Sequence, residues 1–537
     1  MKKKTFDTLG VMIDMSRDGV MTVPALKKYI TYLSKMGYNC VMLYTEDTYE
    51  VEGEPFFGYM RGRYSVNELR EIDDFAASLG IEVIPCIQTL AHLDTITRWH
   101  KVKMDMAGVL LTDDERTYQF IENMFKTLRT CFRSNRIHIG MDEAHELGRG
   151  KHLDIHGFED TVSIMKRHLE RVAGIAEKYG YTPLIWSDMF YRSWNNGLYT
   201  ALGEKEDLEV PSSVAQSYPK GVIPVYWDYY YETEKHYKVM LESHKALSPE
   251  PWFAGGIWTW RGFLPNNAYS ISTMRAAIDA CISTGTKNVF MTVWGNNGSE
   301  CSRYAVLPSL LYVAEYARGN KDEEKIKAKF KRLFGAEYDD FMALDIPDAI
   351  YAEVGRASTA VKSALYSDLF LGYKDAAVKP GYSSTFAECS ERYKKSAKGQ
   401  RKWATLFNSA SKLCEALSIK YELGVKTRTA YKNGDKNELM RLATEDYTRL
   451  ASILGDFHTA FERQWFAENK PHGFEVHDLR IGGLIRRVNS CKKRLIDYAK
   501  GGLESIPELE DELLPLAPTD GVCNYHEYSV MVTCNVL

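Results

Sequence analysis

Eight short runs of β-branched and aromatic residues, each followed by a helical stretch, fill the first three-fifths of the 537-residue chain. They are Gly10 to Met15, Asn39 to Tyr44, Glu82 to Ile87, Arg136 to Ile139, Pro183 to Trp186, Ile223 to Trp227, Phe253 to Trp258 and Asn288 to Trp294. Amphipathic periodicity separates them, as over Ala25 to Met36, Val66 to Leu79, Glu115 to Cys131 and Thr161 to Tyr179. Ser65 with Glu68, and Thr112 with Glu115, have the spacing of a capping box. Eight strands each followed by a helix predict an α/β fold, a (β/α)8 TIM barrel, over residues 1–318. From Gly319 the character changes to Lys- and Glu-rich helical stretches, such as Glu323 to Leu333, Ser396 to Leu423, Glu438 to Ala467 and Leu479 to Ala499. Strand-like alternation returns only at Glu527 to Leu537. Residues 319–537 therefore read as an all-α C-terminal domain, suited to scaffolding or to assembly of a homodimer.

In such a barrel the active site forms where the strands end. The first strand end offers Asp14 and Arg17, the second Glu46 and Asp47, the third His92 and the fourth Asp142 and Glu143. The fifth gives Trp186 and Asp188, and the sixth Tyr226, Asp228 and Tyr229. The seventh gives Trp258, Trp260 and Arg261, and the eighth Trp294, Asn296 and Glu300. Acids and aromatics on one rim make a polar pocket with walls on which a sugar ring can stack.

The stretch His138-Ile139-Gly140-Met141-Asp142-Glu143 is the most specific. Adjacent carboxyls oppose each other's ionisation, a cost usually kept where chemistry uses it. A glycosidase that works with two carboxylates separates them by about 5 to 9.5 Å, which neighbouring residues reach with difficulty. The pair points instead to a mechanism whose nucleophile belongs to the substrate.

Composition narrows the partners. A net charge of −4 argues against nucleic acid or an anionic membrane as the main partner. No apolar run approaches the length of a membrane span. The ten cysteines show no CxxC and no paired rhythm, as expected of reduced thiols in a reducing compartment. The amino-terminal segment carries Asp7 and Asp14 without a small-residue cleavage site, so the cytoplasm is the expected location. His138, Asp142, His145 and His152 lack the helical spacing of a known metal motif. Neither a metal nor a cofactor is expected.

Taken together, the strand ends resemble those of the β-N-acetylhexosaminidases of glycoside hydrolase family 20, with His138, Gly140, Asp142 and Glu143 matching its His-x-Gly-x-Asp-Glu motif. The helical C-terminal region is similar to that of bacterial exo-acting members. The resemblance implies that Glu143 is the general acid/base and that Asp142 orients the substrate's acetamido group. It implies that His92, after Val83-Ile84-Pro85, pairs with Asp47 of Tyr44-Thr45-Glu46-Asp47. Trp186 would line the acetamido pocket, and Tyr226 of Tyr226-Trp227-Asp228 would hold the acetamido carbonyl, with Tyr229 an equally available hydroxyl. Trp294 and Glu300 would stand at the far side of the sugar, with Trp258 and Trp260 in the stacking wall. The family places an arginine before the first-strand glycine, where this chain has Leu9 before Gly10; Arg17 or Arg261 would substitute, and Asp14 is a further candidate for substrate binding at the first strand end.

The implied activity is removal of terminal non-reducing β-linked GlcNAc or GalNAc from oligosaccharides or glycoconjugates. Configuration is retained, and the acetamido oxygen forms an oxazolinium ion. The rival readings are an O-linked N-acetylglucosaminidase of another substrate-assisted family, whose acid pair is usually two aspartates, and a noncatalytic sugar-binding barrel.

Overall fold

The computed structural model describes residues 5–98, 102–200, 207–354, 358–514 and 527–537. The chain forms two compact units. The first comprises Met1–Ile257, Ser270–Trp294 and Leu310–Asp322, and the second comprises Trp258–Tyr269, Gly295–Ser309 and Glu323–Leu537. The stretches that follow the seventh and eighth strands thus group with the helices of the second unit.

The first unit holds a closed parallel barrel of β1 (Thr8–Asp14), β2 (Cys40–Tyr44), β3 (Glu82–Cys86), β4 (Arg136–His138), β5 (Thr182–Trp186), β6 (Ile223–Trp227), β7 (Trp252–Gly256) and β8 (Asn288–Val293). Each strand pairs with its sequence neighbours, and β1 closes the ring on β8. Met12 on β1 registers with Met42 of β2 and Thr292 of β8. All eight predicted strands are present. Parallel strands buried on both faces need apolar residues at nearly every position, which is why they read as unbroken runs. Met12, Cys40, Met42, Ile84, Cys86, Leu184, Val225, Trp252 and Phe290 fill the interior. Cys40 and Cys86 pack there as small hydrophobes, and the nine described cysteines are free; Cys523 lies outside the described residues.

Local signals set the helix starts. Ser65 accepts the Glu68 N–H at 3.1 Å and Glu68 returns a carboxylate to the Ser65 N–H at 2.8 Å, the predicted capping box. The box expected of Thr112 and Glu115 does not form. Asp114 caps that helix instead, accepting the Arg116 N–H at 2.9 Å, because it stands directly before the first helical residue. A two-stranded hairpin, Met104–Met106 with Val109–Leu110, was not legible in the sequence.

The second unit is helical. The region read as one helix over Ser396 to Leu423 is divided among Tyr382–Gly399, Ala404–Lys420 and Leu423–Lys432. Phe474–Ala499 is its longest helix among the described residues. The tail expected as a strand contains the short helix Tyr528–Val532, with Met531 buried. Alternating apolar residues over so few positions satisfy either period. Among the described residues no helix is long and apolar enough to cross a membrane.

Candidate active site

The site of the first unit is built on the turn that follows β4. Gly140, Met141 and Glu143 all have positive φ, at 72°, 70° and 54°. For the two non-glycine residues this conformation costs about 1–3 kcal/mol each unless the surroundings hold it. Side chains from neighbouring elements do so. The Gly140 N–H donates to His138 Nδ1 at 3.1 Å, the Met141 N–H to Gln88 Oε1 at 3.1 Å, and the Glu143 N–H to Asp188 Oδ2 at 3.0 Å. The Trp186 N–H donates to the Gly140 carbonyl at 3.2 Å. A Cβ on Gly140 would fall 2.0 Å from Gln88 Oε1 and 2.8 Å from the Ile87 carbonyl, so only glycine fits.

This turn presents the acid pair to a histidine. His92, itself at φ 55°, places Nε2 3.2 Å from Asp142 Oδ2 and 3.6 Å from Glu143 Oε2. Gln88 Nε2 donates to the other Asp142 oxygen at 2.8 Å. Burial opposes ionisation of Asp142, but the charge of His92 beside it and the hydrogen bond from Gln88 outweigh it and hold the carboxyl below its ordinary range. Burial likewise opposes charge on His92, and Asp142 overcomes it, raising the imidazole to about 9. Asp142 is thus favoured as an anion beside His92, while the Glu143 side chain is 44% exposed to solvent.

The expected pairing of Asp47 with His92 is corrected. Arg61 lies 3.2 to 3.3 Å from both Asp47 oxygens through Nε and Nη2. A guanidinium is always charged and fits a carboxylate with two donors, so it outcompetes an imidazole. Asp47 thereby ties the loop carrying Arg61 to the rim, where Arg61 also meets Asp18 at 3.3 Å. The second-strand carboxylate whose charge reaches His92 is Glu46.

Arg17 is the cation at the first strand end. It lies 3.1 Å from Asp14 Oδ2 and 3.1 Å from Glu46 Oε1, and its guanidinium sits 4.7 Å from the Tyr44 ring and 5.2 Å from the Trp294 ring. Asp14 is fully buried and bonds Ser16 as well, so its work is to hold Arg17. Trp186 lies in the barrel interior, 4.2 Å from the His138 ring and 6.2 Å from Trp294, its indole N–H without a hydrogen-bond partner among the described residues. His138 is fully buried in the core, and burial pushes it down to about 3, against the pull of Asp142.

At the sixth strand the two tyrosines differ. The Tyr226 hydroxyl is buried and donates to Asp228 Oδ2 at 2.8 Å. Asp228 also accepts the Tyr230 N–H at 3.1 Å. Tyr229 packs against Gly256, and burial first, then Tyr230 and the charge of Glu143, raise its hydroxyl. Trp258, Trp260 and Glu300 belong to the second unit. There Trp258 and Trp260 stack with centroids 4.2 Å apart, with Arg261 5.4 Å over Trp258. Glu300 is buried, 2.7 Å from the Lys362 ammonium and 3.5 Å from Arg480.

Gln88, Arg61 and Lys362 were not singled out from the sequence, and Asp188 was given no role. Gln88 could have been found as a polar residue two positions past a strand end. Arg61 and Lys362 carry no such signal.

A family model described as the glycosyl hydrolase family 20 catalytic domain matches residues 6–244. A second, the glycoside hydrolase 20C C-terminal domain, matches residues 339–526. The chain is similar to hexosaminidase D of Homo sapiens, 26% identical over 246 residues, covering 42% of this chain and 47% of the relative. It is also similar to hexosaminidase D of Bos taurus, 25% identical over 237 residues, covering 42% of this chain and 62% of the relative. The match thus spans about half the length of the human relative. Among solved structures, the GH20 exo β-N-acetylglucosaminidase of Vibrio harveyi in complex with N-acetylglucosamine covers 63% of this chain and 58% of its own, at 15% identity and a TM-score of 0.46. Both matched models describe domains of one family and together take in most of the sequence, and the chain belongs to glycoside hydrolase family 20.

Proposed function

We propose that this chain is an exo-β-N-acetylhexosaminidase that releases terminal non-reducing β-linked GlcNAc or GalNAc with retention, using the substrate's acetamido oxygen as nucleophile. The observation that carries the reading is the acid pair itself, one member fixed as an anion by His92 and Gln88 and the other open. Expelling an alcohol from an anomeric carbon needs a proton donor within hydrogen-bond reach of the leaving oxygen, and Glu143 is that donor. As the acetamido oxygen closes on the anomeric carbon, positive charge develops at the acetamido nitrogen. Asp142 stabilises it, an anion placed before the reaction begins and costing no reorganisation. Glu143 then takes the proton of the water that opens the oxazolinium ion. Trp294, partly buried over the Trp186 core, supplies apolar surface beneath the ring, and Arg17 a cation at the rim. The free thiols among the described residues are the support for a cytoplasmic enzyme, which would act on oligosaccharides or glycoconjugates.

The test is a panel of nitrophenyl β-glycosides, N-acetylated and not, gluco and galacto, with a thiazoline mimic of the cyclised intermediate as inhibitor. Cleavage confined to N-acetylated sugars and tight thiazoline binding are expected. Equal rates on an N-acetylglucosaminide and the matching glucoside would overturn the reading.

A further inference from the structure

Of the three side-chain clamps on the acid turn, the one beneath Glu143 is a buried carboxyl. Asp188 begins the short helix Asp188–Trp194, two residues past β5. It is fully buried; Oδ2 accepts the Glu143 N–H at 3.0 Å, and Oδ1 has no hydrogen-bond partner among the described residues. An ionised carboxylate left this bare is expensive. The charged and titratable groups that face it are Asp142 and Glu143 on the turn, Arg192 on its own helix with Nε 3.7 Å from Oδ2, and the Tyr199 hydroxyl. Arg192 stands too far for a hydrogen bond, and its Nη1 is given to the Gly197 carbonyl at 3.0 Å. Burial first, and then the charge of Asp142, push the Asp188 carboxyl up to about 7.

We infer that Asp188 is a positioning residue for the acid: it aims Glu143 by gripping its backbone, and its own ionisation adds or removes a third charge beside the pair. The inference rests on the reading of Glu143 as the general acid. The contact of the Glu143 carboxylate with His92, at 3.6 Å, is loose. Its direction is therefore set by the backbone at 143, which keeps a φ of 54° while its N–H is held. A proton donor displaced by about 1 Å loses on the order of a hundredfold in rate. With Asp188 neutral the clamp is a carboxyl oxygen that accepts one bond. With Asp188 ionised the clamp tightens, and a third negative charge joins Asp142 and Glu143.

The experiment compares an alkyl N-acetyl-β-glucosaminide, whose leaving group must be protonated, with the dinitrophenyl glycoside, whose leaving group departs without a proton. Asp188→Ala removes the acceptor. At pH 6 it is expected to lower kcat/KM on the alkyl glycoside about tenfold to a hundredfold, leaving kcat/KM on the dinitrophenyl glycoside, which reports only the proton-free departure of the aglycone, within about threefold of native. Asp188→Asn keeps an acceptor and cannot ionise. It should stay within about threefold of native at pH 6 and lack the change in kcat/KM that the native enzyme shows near pH 7. Equal slowing of both substrates by Asp188→Ala, or a native inflection surviving in Asp188→Asn, overturns the inference. If Asp188→Ala does not fold, the pH profile of Asp188→Asn decides alone. Glu143→Gln is assayed alongside, because native turnover of the alkyl glycoside by that variant sinks the functional reading itself.

Discussion

His92 Nε2 stands 3.2 Å from Asp142 Oδ2, and this contact sets the charge of both partners. The imidazole is raised to about 9 from an unfolded value of 6.5. A raised folded value means that the contact's contribution to stability is complete below about pH 6.5 and is lost as pH climbs through about 9. The gap corresponds to at most about 3 kcal/mol. Urea unfolding at pH 6 and pH 9.5 should show the native protein losing more stability than His92→Gln over that interval. Equal losses in the two proteins would remove His92 from the role.

Glu143→Gln is expected to lower kcat/KM on a poor-leaving-group substrate by about 10² to 10⁴, the usual worth of a positioned acid. The same variant should lose far less on a dinitrophenyl glycoside. A purified Glu143→Gln with near-native turnover of the alkyl substrate would exclude the residue as acid.

Gly140→Ala places a Cβ against Gln88 and the Ile87 backbone, at a φ that disfavours any side chain. The strain alone costs about 1–3 kcal/mol. Relief by moving Gln88 would release both the Met141 N–H and Asp142 Oδ1. Stability and kcat should therefore fall together, read by urea unfolding and by turnover of a nitrophenyl N-acetylglucosaminide. An alanine variant of native stability would show that the turn is looser than its contacts imply.

The His92, Asp142 and Glu143 ligand atoms lie close enough together to suggest a metal site. Asp142 holds the proton on His92, however, and a metal ion would have to displace that proton to bind there. Extended dialysis against a chelator should leave kcat unchanged. Loss of activity that returns with a divalent ion would contradict the charge assignment.

The eight strands and the acid pair could be recognised without coordinates, since both depend on neighbours in the chain. A parallel strand declares itself through uninterrupted apolar residues, and Ser65 with Glu68 declares a helix start through a spacing of three. The same locality explains the failures. Asp114 and Thr112 are near-equivalent caps by composition, and Val530 and Val532 suit a strand or a helix alike. Gln400, between two helices, interrupts a pattern that periodicity alone joins.

Amino-acid order by itself determined the barrel, the helical region after it, and the delivery of Asp142 and Glu143 at the end of the fourth strand. Tertiary structure decided who meets whom: Arg61 claims Asp47, His92 turns to Asp142, and Gln88 and Asp188 grip the turn from 45 to 54 positions away in the chain. The physical reason is that competition among charged groups for one another depends on distance and burial in the closed barrel, and neither quantity exists along an extended chain.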